Sequence, residues 1–159
     1  MSLAFVALGS NLQSPIEQVN QAIQEIADLP GTHLLKRSSL YKTPPVGHDN
    51  QQDFINAVIE VDTKLAPLAL LDALLRIEQK HGRVRTFANA PRVLDLDVLL
   101  YDALEMQTTQ LTLPHPRLHV RGFVLLPLSE IAAELVIHGH GRVIDLMQRC
   151  DKVGIEKLE

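Results

Sequence analysis

Asp95 and Asp97 are the residues whose type and spacing offer this chain the most chemistry. Around them Leu94, Leu96, Val98 and Leu100 are all apolar, the period of a strand that buries one face. Val93, Asp95, Asp97 and Leu99 then share the other face. Residues i and i+2 of a strand lie roughly 6.5 to 7 Å apart. Flexible side chains at that spacing bracket one metal, or a pair about 3.5 to 4 Å apart. Like charges this close repel and raise one pKa unless a cation neutralises them. No Cys or His lies in the stretch, and all-oxygen ligands favour Mg²⁺ or Mn²⁺ over Zn²⁺. Arg92 stands just before the pair, and Arg83 and Arg85 stand in the loop before Arg92. Guanidinium groups beside metal-binding carboxylates suit a phosphate chain that bridges metal and arginine.

The elements that must hold these groups follow from hydrophobic period. Residues 3–8 are apolar and read as a buried central strand. Ser14, Pro15 and Glu17 predict a helix start with a capping box, and Ile16, Val19, Ile23 and Ile26 continue it to about Leu29. Residues 33–42 read as one strand, followed by a Pro- and Gly-containing loop over 43–52. In residues 54–62, Ile55, Ala57, Ile59 and Val61 line one face and Phe54, Asn56, Val58 and Glu60 the other. Asn56 offers a donor and an acceptor beside Phe54, a pairing suited to the edge and face of a flat heterocycle. Pro67 opens a second helix with Leu68, Leu71 and Leu75 on one stripe and Leu70, Leu74 and Ile77 beside it. It stops near His81-Gly82. A short strand pair over 104–113, a turn from Pro116, a core segment after Phe123, a strand near 135–137 and a small helix near 143–149 complete the chain. His138 and His140 flank a glycine without a third ligand and read as surface residues. The order is that of a split β-α-β, an α+β sandwich.

Composition sets outer limits. The 159 residues are 46% apolar without tryptophan, enough for one aliphatic core. A net charge of −4 argues against general nucleic-acid binding. One cysteine, Cys150, cannot form an internal disulfide and fits a reducing cytoplasm. No basic leader or spanning segment is legible, so no membrane partner is expected.

Pro91-Arg92-x-x-Asp95-x-Asp97, followed by two aliphatics, resembles the signature of the 6-hydroxymethyl-7,8-dihydropterin pyrophosphokinases of folate biosynthesis. Four further segments agree in order: Ala7-Leu8-Gly9-Ser10-Asn11-Leu12, Thr43-Pro44-Pro45-Val46-Gly47, Phe54-Ile55-Asn56-Ala57, and Pro114-His115-Pro116-Arg117 with Arg121-Gly122-Phe123-Val124-Leu125. The resemblance implies one domain over residues 1–159 and a ferredoxin-like antiparallel sheet with helices packed on it and long active-site loops. It implies transfer of pyrophosphate from ATP to the pterin alcohol, in a cytoplasmic monomer. By resemblance Asp95 and Asp97 hold two Mg²⁺ ions, and Arg83, Arg92, Asp95 and Asp97 are catalytic. Glu78, Arg85, Arg92, Val98, Thr112, His115 and Arg121 contact ATP. Thr43, Pro44, Val46, Phe54, Asn56, Asp95 and Phe123 contact the pterin, with Phe54 and Phe123 sandwiching the ring. The chain departs from the pattern at Thr86 and Asn89, where relatives carry Lys and Trp, and at Ala90, where Gly is commoner. From the residues alone two other readings stay open. Asp-x-Asp also serves metal-dependent nucleotide-sugar transferases, and ferredoxin-like sheets also serve as RNA-binding modules.

Overall fold

A computed structural model describes residues 1–12, 14–44, 53–82 and 94–158. Along these run β1 (Ser2–Ser10), α1 (Pro15–Ala27), β2 (Thr32–Arg37), β3 (Tyr41–Thr43), β4 (Phe54–Thr63), α2 (Pro67–Lys80) and β5 (Asp95–Tyr101). The hairpin β6 (Met106–Gln107) and β7 (Thr112–Leu113) follows. Next come a 3₁₀ turn (Leu118–Val120), α3 (Gly122–Ala132), β8 (Val136–Ile137), β9 (Gly141–Arg142), α4 (Val143–Arg149) and β10 (Glu156–Lys157). The main sheet runs β10-β3-β4-β1-β5, with β2 also on β4, and every pairing is antiparallel. This is the α+β split arrangement expected of the sequence. Among the described residues no helix is long and apolar enough to cross a membrane.

One face of the sheet packs α1 and α2 through Val19, Ile23, Ile26, Leu70, Leu74 and Ile77 against Val6, Leu8, Ile59 and Val98. Four expectations need correction. Residues 33–42 form two strands, because at Ser38 the side chain replaces a ladder partner: its hydroxyl accepts the Val58 N–H at 2.9 Å. Ser14 makes no side-chain cap. It sits in the left-handed region at φ 62°, and its carbonyl instead accepts the Gln18 N–H at 3.0 Å. Leu68 and Leu75 are exposed, so of that α2 stripe only Leu71 packs against the core, and it does so partly buried. Leu100 belongs to the opposite face from Val98: Val6 pairs Val98 but Phe5 pairs Leu100, and the extra residue Leu99 shifts the alternation.

The second face is divided between helical cover and the site. Its lower half carries Phe5, Val58, Leu99 and Leu100, which α3 and α4 cover through Val124, Leu125, Leu128 and Leu146. Its upper half carries Asn56, Asp95 and Asp97, and there the helical cover ends. Apolar surface demands cover and the polar surface above it does not, so the polarity boundary on the strands sets where the cavity opens.

Candidate active site

Register builds the site. Gly9 of β1 pairs Asn56 of β4 on one side and Asp95 of β5 on the other. One residue pair further along, Ala7 lies between Val58 and Asp97. Adjacent strands lie about 4.8 Å apart, which puts Asn56 and Asp95 roughly 10 Å apart across β1. The floor between them is almost without side chains. A Cβ on Gly9 would come within 3.2 Å of the Asn56 Oδ1. Above this floor is a cavity of about 540 Å³. Thr43, Pro44, Phe54, Asn56, Asp95, Asp97, His115, Arg121 and Phe123 all line it.

Each side chain is aimed by its element. Asn56 is 7% exposed, and its Nδ2 donates to the Thr43 hydroxyl at 2.9 Å. That bond spends one amide proton and fixes which way the amide points. The Arg121 guanidinium sits 5.6 Å over the Phe123 ring, a cation–π contact that places a positive charge beside an apolar wall. His115 is pinned to β5 by its backbone N–H, which donates to the Leu99 carbonyl at 2.9 Å. Its Nδ1 accepts the Arg117 backbone N–H at 3.1 Å, so the ring proton resides on Nε2. Burial lowers the His115 pKa to about 4, helped by the charges of Arg121 and Arg117 and opposed by Asp95. At neutral pH the ring is therefore an uncharged donor.

A titration follows. Between pH 6.5 and 4 the unfolded chain binds a proton at this histidine and the folded chain does not. Stability is whole above that window and falls as pH drops through it. In the metal-free protein the His115 ring resonance should titrate near 4, and His115→Ala should flatten the acid side of the stability profile. A ring that titrates at the ordinary histidine value contradicts this.

Val98 and Thr112 line a smaller cavity of about 210 Å³, which shares Asp97 and His115 with the larger one. Glu78 lies elsewhere. It is buried at 1% exposure behind β5, and its Oε2 accepts the Leu96 N–H at 2.6 Å. The expectations for Val46, Arg83, Arg85 and Arg92 lie outside the described residues.

Three contributions escaped the sequence reading. Ala7 and Gly9 form the floor, signalled only by shrinking side chains along Phe5, Ala7 and Gly9. Arg117 adds a cation beside His115. Asp151, Val153 and Ile155, just before β10, form a wall that no local pattern announces. Asp95 and Asp97 bring two carboxylates into the cavity, and no cluster of three acidic, His or Cys ligands exists among the described residues. Such a donor set suits a hard cation that takes its remaining oxygens from phosphate and water.

Residues 5–133 match the family described as 7,8-dihydro-6-hydroxymethylpterin-pyrophosphokinase, HPPK. A 2-amino-4-hydroxy-6-hydroxymethyldihydropteridine pyrophosphokinase of Haemophilus influenzae is 46% identical over 149 residues, covering 94% of this chain and 93% of that one. The protein of the same name from Pseudomonas aeruginosa is 43% identical over 154 residues, covering 97% and 95%. A crystal structure of Plasmodium falciparum HPPK-DHPS superposes with a TM-score of 0.75 at 12% identity, over 99% of this chain. This chain spans 47% of that one, and the likeness shows a shared fold. Length, coverage and identity agree: the chain belongs to the 6-hydroxymethyl-7,8-dihydropterin pyrophosphokinase family.

Proposed function

We propose that the protein transfers pyrophosphate from ATP to the hydroxymethyl group of 6-hydroxymethyl-7,8-dihydropterin, releasing AMP, as a step of folate biosynthesis. The observation that carries this reading is the row Asn56–Gly9–Asp95, an amide and a carboxylate facing each other across a bare floor. The heterocycle lies over Gly9 and Ala7. Its edge is read by the Asn56 amide, held by Thr43, and its faces are covered by Phe54 and Phe123. Pro44 bounds it, and by resemblance so does the backbone near Val46. The hydroxymethyl arm then points toward Asp95.

Asp95 and Asp97 would hold two Mg²⁺ ions that arrive with ATP. When bound, these ions neutralise phosphate charge and lower the pKa of the substrate hydroxyl. The chain's own task is positioning. The smaller cavity with Val98 and Thr112 takes the nucleoside end, and His115 Nε2–H, Arg117 and Arg121 face the phosphates between the two cavities. Arg83, Arg85 and Arg92 join them by resemblance. The hydroxyl oxygen forms a bond to the β-phosphorus in line with the bond that breaks. The bridging oxygen departs with AMP, and the hydroxyl proton is released. No protein nucleophile is required, because alignment and charge stabilisation supply the rate.

Protein, ATP, Mg²⁺ and the pterin alcohol should yield AMP and the pterin diphosphate in equal amounts, measured by phosphorus NMR or chromatography. ADP in place of AMP overturns the assignment.

A further inference from the structure

The family match ends at residue 133, yet one wall of the large cavity is built from residues 151–155. Three attachments hold that segment. Downstream, β10 pairs β3, the Leu158 N–H donates to the Leu40 carbonyl at 2.8 Å, and the Lys157 ammonium lies 4.0 Å from Glu130. The Glu130 carboxylate also accepts from the Ser39 N–H, the Ser39 hydroxyl and the Tyr41 hydroxyl, so it locks the end of the chain to the β2–β3 connection. Upstream, the Lys152 ammonium donates to the Met147 and Cys150 carbonyls at 2.9 and 3.0 Å, closing the segment onto α4. In the middle, the Asp151 carbonyl and the Ile155 side chain occupy the space a side chain at Gly122 would need. Gly154, at φ 82°, lies against the Pro44 ring.

The segment therefore runs from Gly122, next to Phe123, to Pro44, next to Thr43. That is the end of the cavity with Asn56, Phe54 and Phe123. None of its residues lines the smaller cavity with Val98 and Thr112. We infer that residues 151–155 are the specificity-determining wall for the heterocycle, with Ile155 and Val153 as its apolar surface. This rests on the pterin reading above. The wall sets the affinity for a bicyclic alcohol and leaves nucleotide affinity alone. The segment lies apart from β5, so a change here alters ring preference without touching Asp95 or Asp97.

The test uses the full chain. Ile155→Ala removes apolar contact at the wall, and losing a methylene or more from such a pocket costs about tenfold or more in discrimination. Its KM and calorimetric Kd for the pterin alcohol should rise about tenfold, with KM for ATP within twofold of wild type. Gly122→Ala, which pushes the Asp151 backbone away, should give the same split. Ile155→Val should restore most of the affinity. If Gly122→Ala does not fold, Ile155→Ala decides alone. Pterin affinity within twofold of wild type, or an equal loss toward ATP and pterin, overturns the wall. Wild type that binds the pterin alcohol but releases no AMP overturns the proposed reaction instead, and the calorimetric comparison still judges the wall.

Discussion

Asp97→Asn should cut AMP release about a thousandfold while the chain keeps its fold, because one preorganised charge at the reacting phosphates is lost and nothing is unpacked. The side chain lies on the open half of the sheet face, opposite Ala7 of β1, at the point where the large and small cavities meet. Asparagine has nearly the same volume and keeps one oxygen. What it lacks is the charge with which, on the proposed reading, the carboxylate pair would hold divalent cations against a triphosphate. Losing a single transition-state donor in a preorganised site costs about 10² to 10³ in turnover, and a ligand shared by reacting groups belongs at the upper end. Asp95→Asn should fall nearly as far. The double variant should fall little further, because groups that act as one unit are not additive. Single-turnover AMP release at saturating ATP, Mg²⁺ and pterin measures the loss, and circular dichroism confirms the fold. Near wild-type release from Asp97→Asn would remove the carboxylate pair from the mechanism.

The sheet was legible because its strands announce themselves at period two. Asn56 alternates with Ile55 and Ala57, and Asp95 and Asp97 with Leu94 and Leu96, so the faces of β4 and β5 could be read before any pairing was known. What alternation cannot encode is a register shift. The extra residue Leu99 moves Leu100 to the other face, and no residue type there marks it. Nor does local pattern say what covers a face. Residues 124–128 read as core, yet only the tertiary arrangement shows that they cap the lower half of the second face. That cover also occupies sheet surface that an RNA-binding module would keep open for bases. The cavity wall at residues 151–155 was illegible for a related reason. It reaches the site through a two-residue strand, far from every motif in sequence.

Glu78→Ala should unfold about 6 to 12 °C below wild type, a loss of about 3 kcal/mol for a chain of this size. From sequence, an acid in the last turn of a helix looks misplaced, since the C-terminal end of the dipole repels it. The family resemblance, separately, implies a contact with ATP. The structure shows it buried, with a backbone partner on β5. Among the described residues β5 is the edge of the main sheet, with β1 on only one side. An edge strand presents backbone donors with no ladder partner, and a buried one must be satisfied by something else. Glu78 reaches from α2 and accepts the Leu96 N–H, the amide of the peptide that joins Asp95 to Leu96. Removing the carboxylate strands that donor in the core and leaves a void in place of the side chain. Because the orphaned peptide lies between the two site carboxylates, turnover should fall together with stability. Glu78→Gln retains an acceptor oxygen of the same length, so it should recover at least half of the lost melting temperature. A direct ATP contact predicts the reverse: an unchanged melting temperature and a raised KM for ATP alone. Thermal unfolding of both variants beside their ATP kinetics separates an edge-strand anchor from a nucleotide ligand.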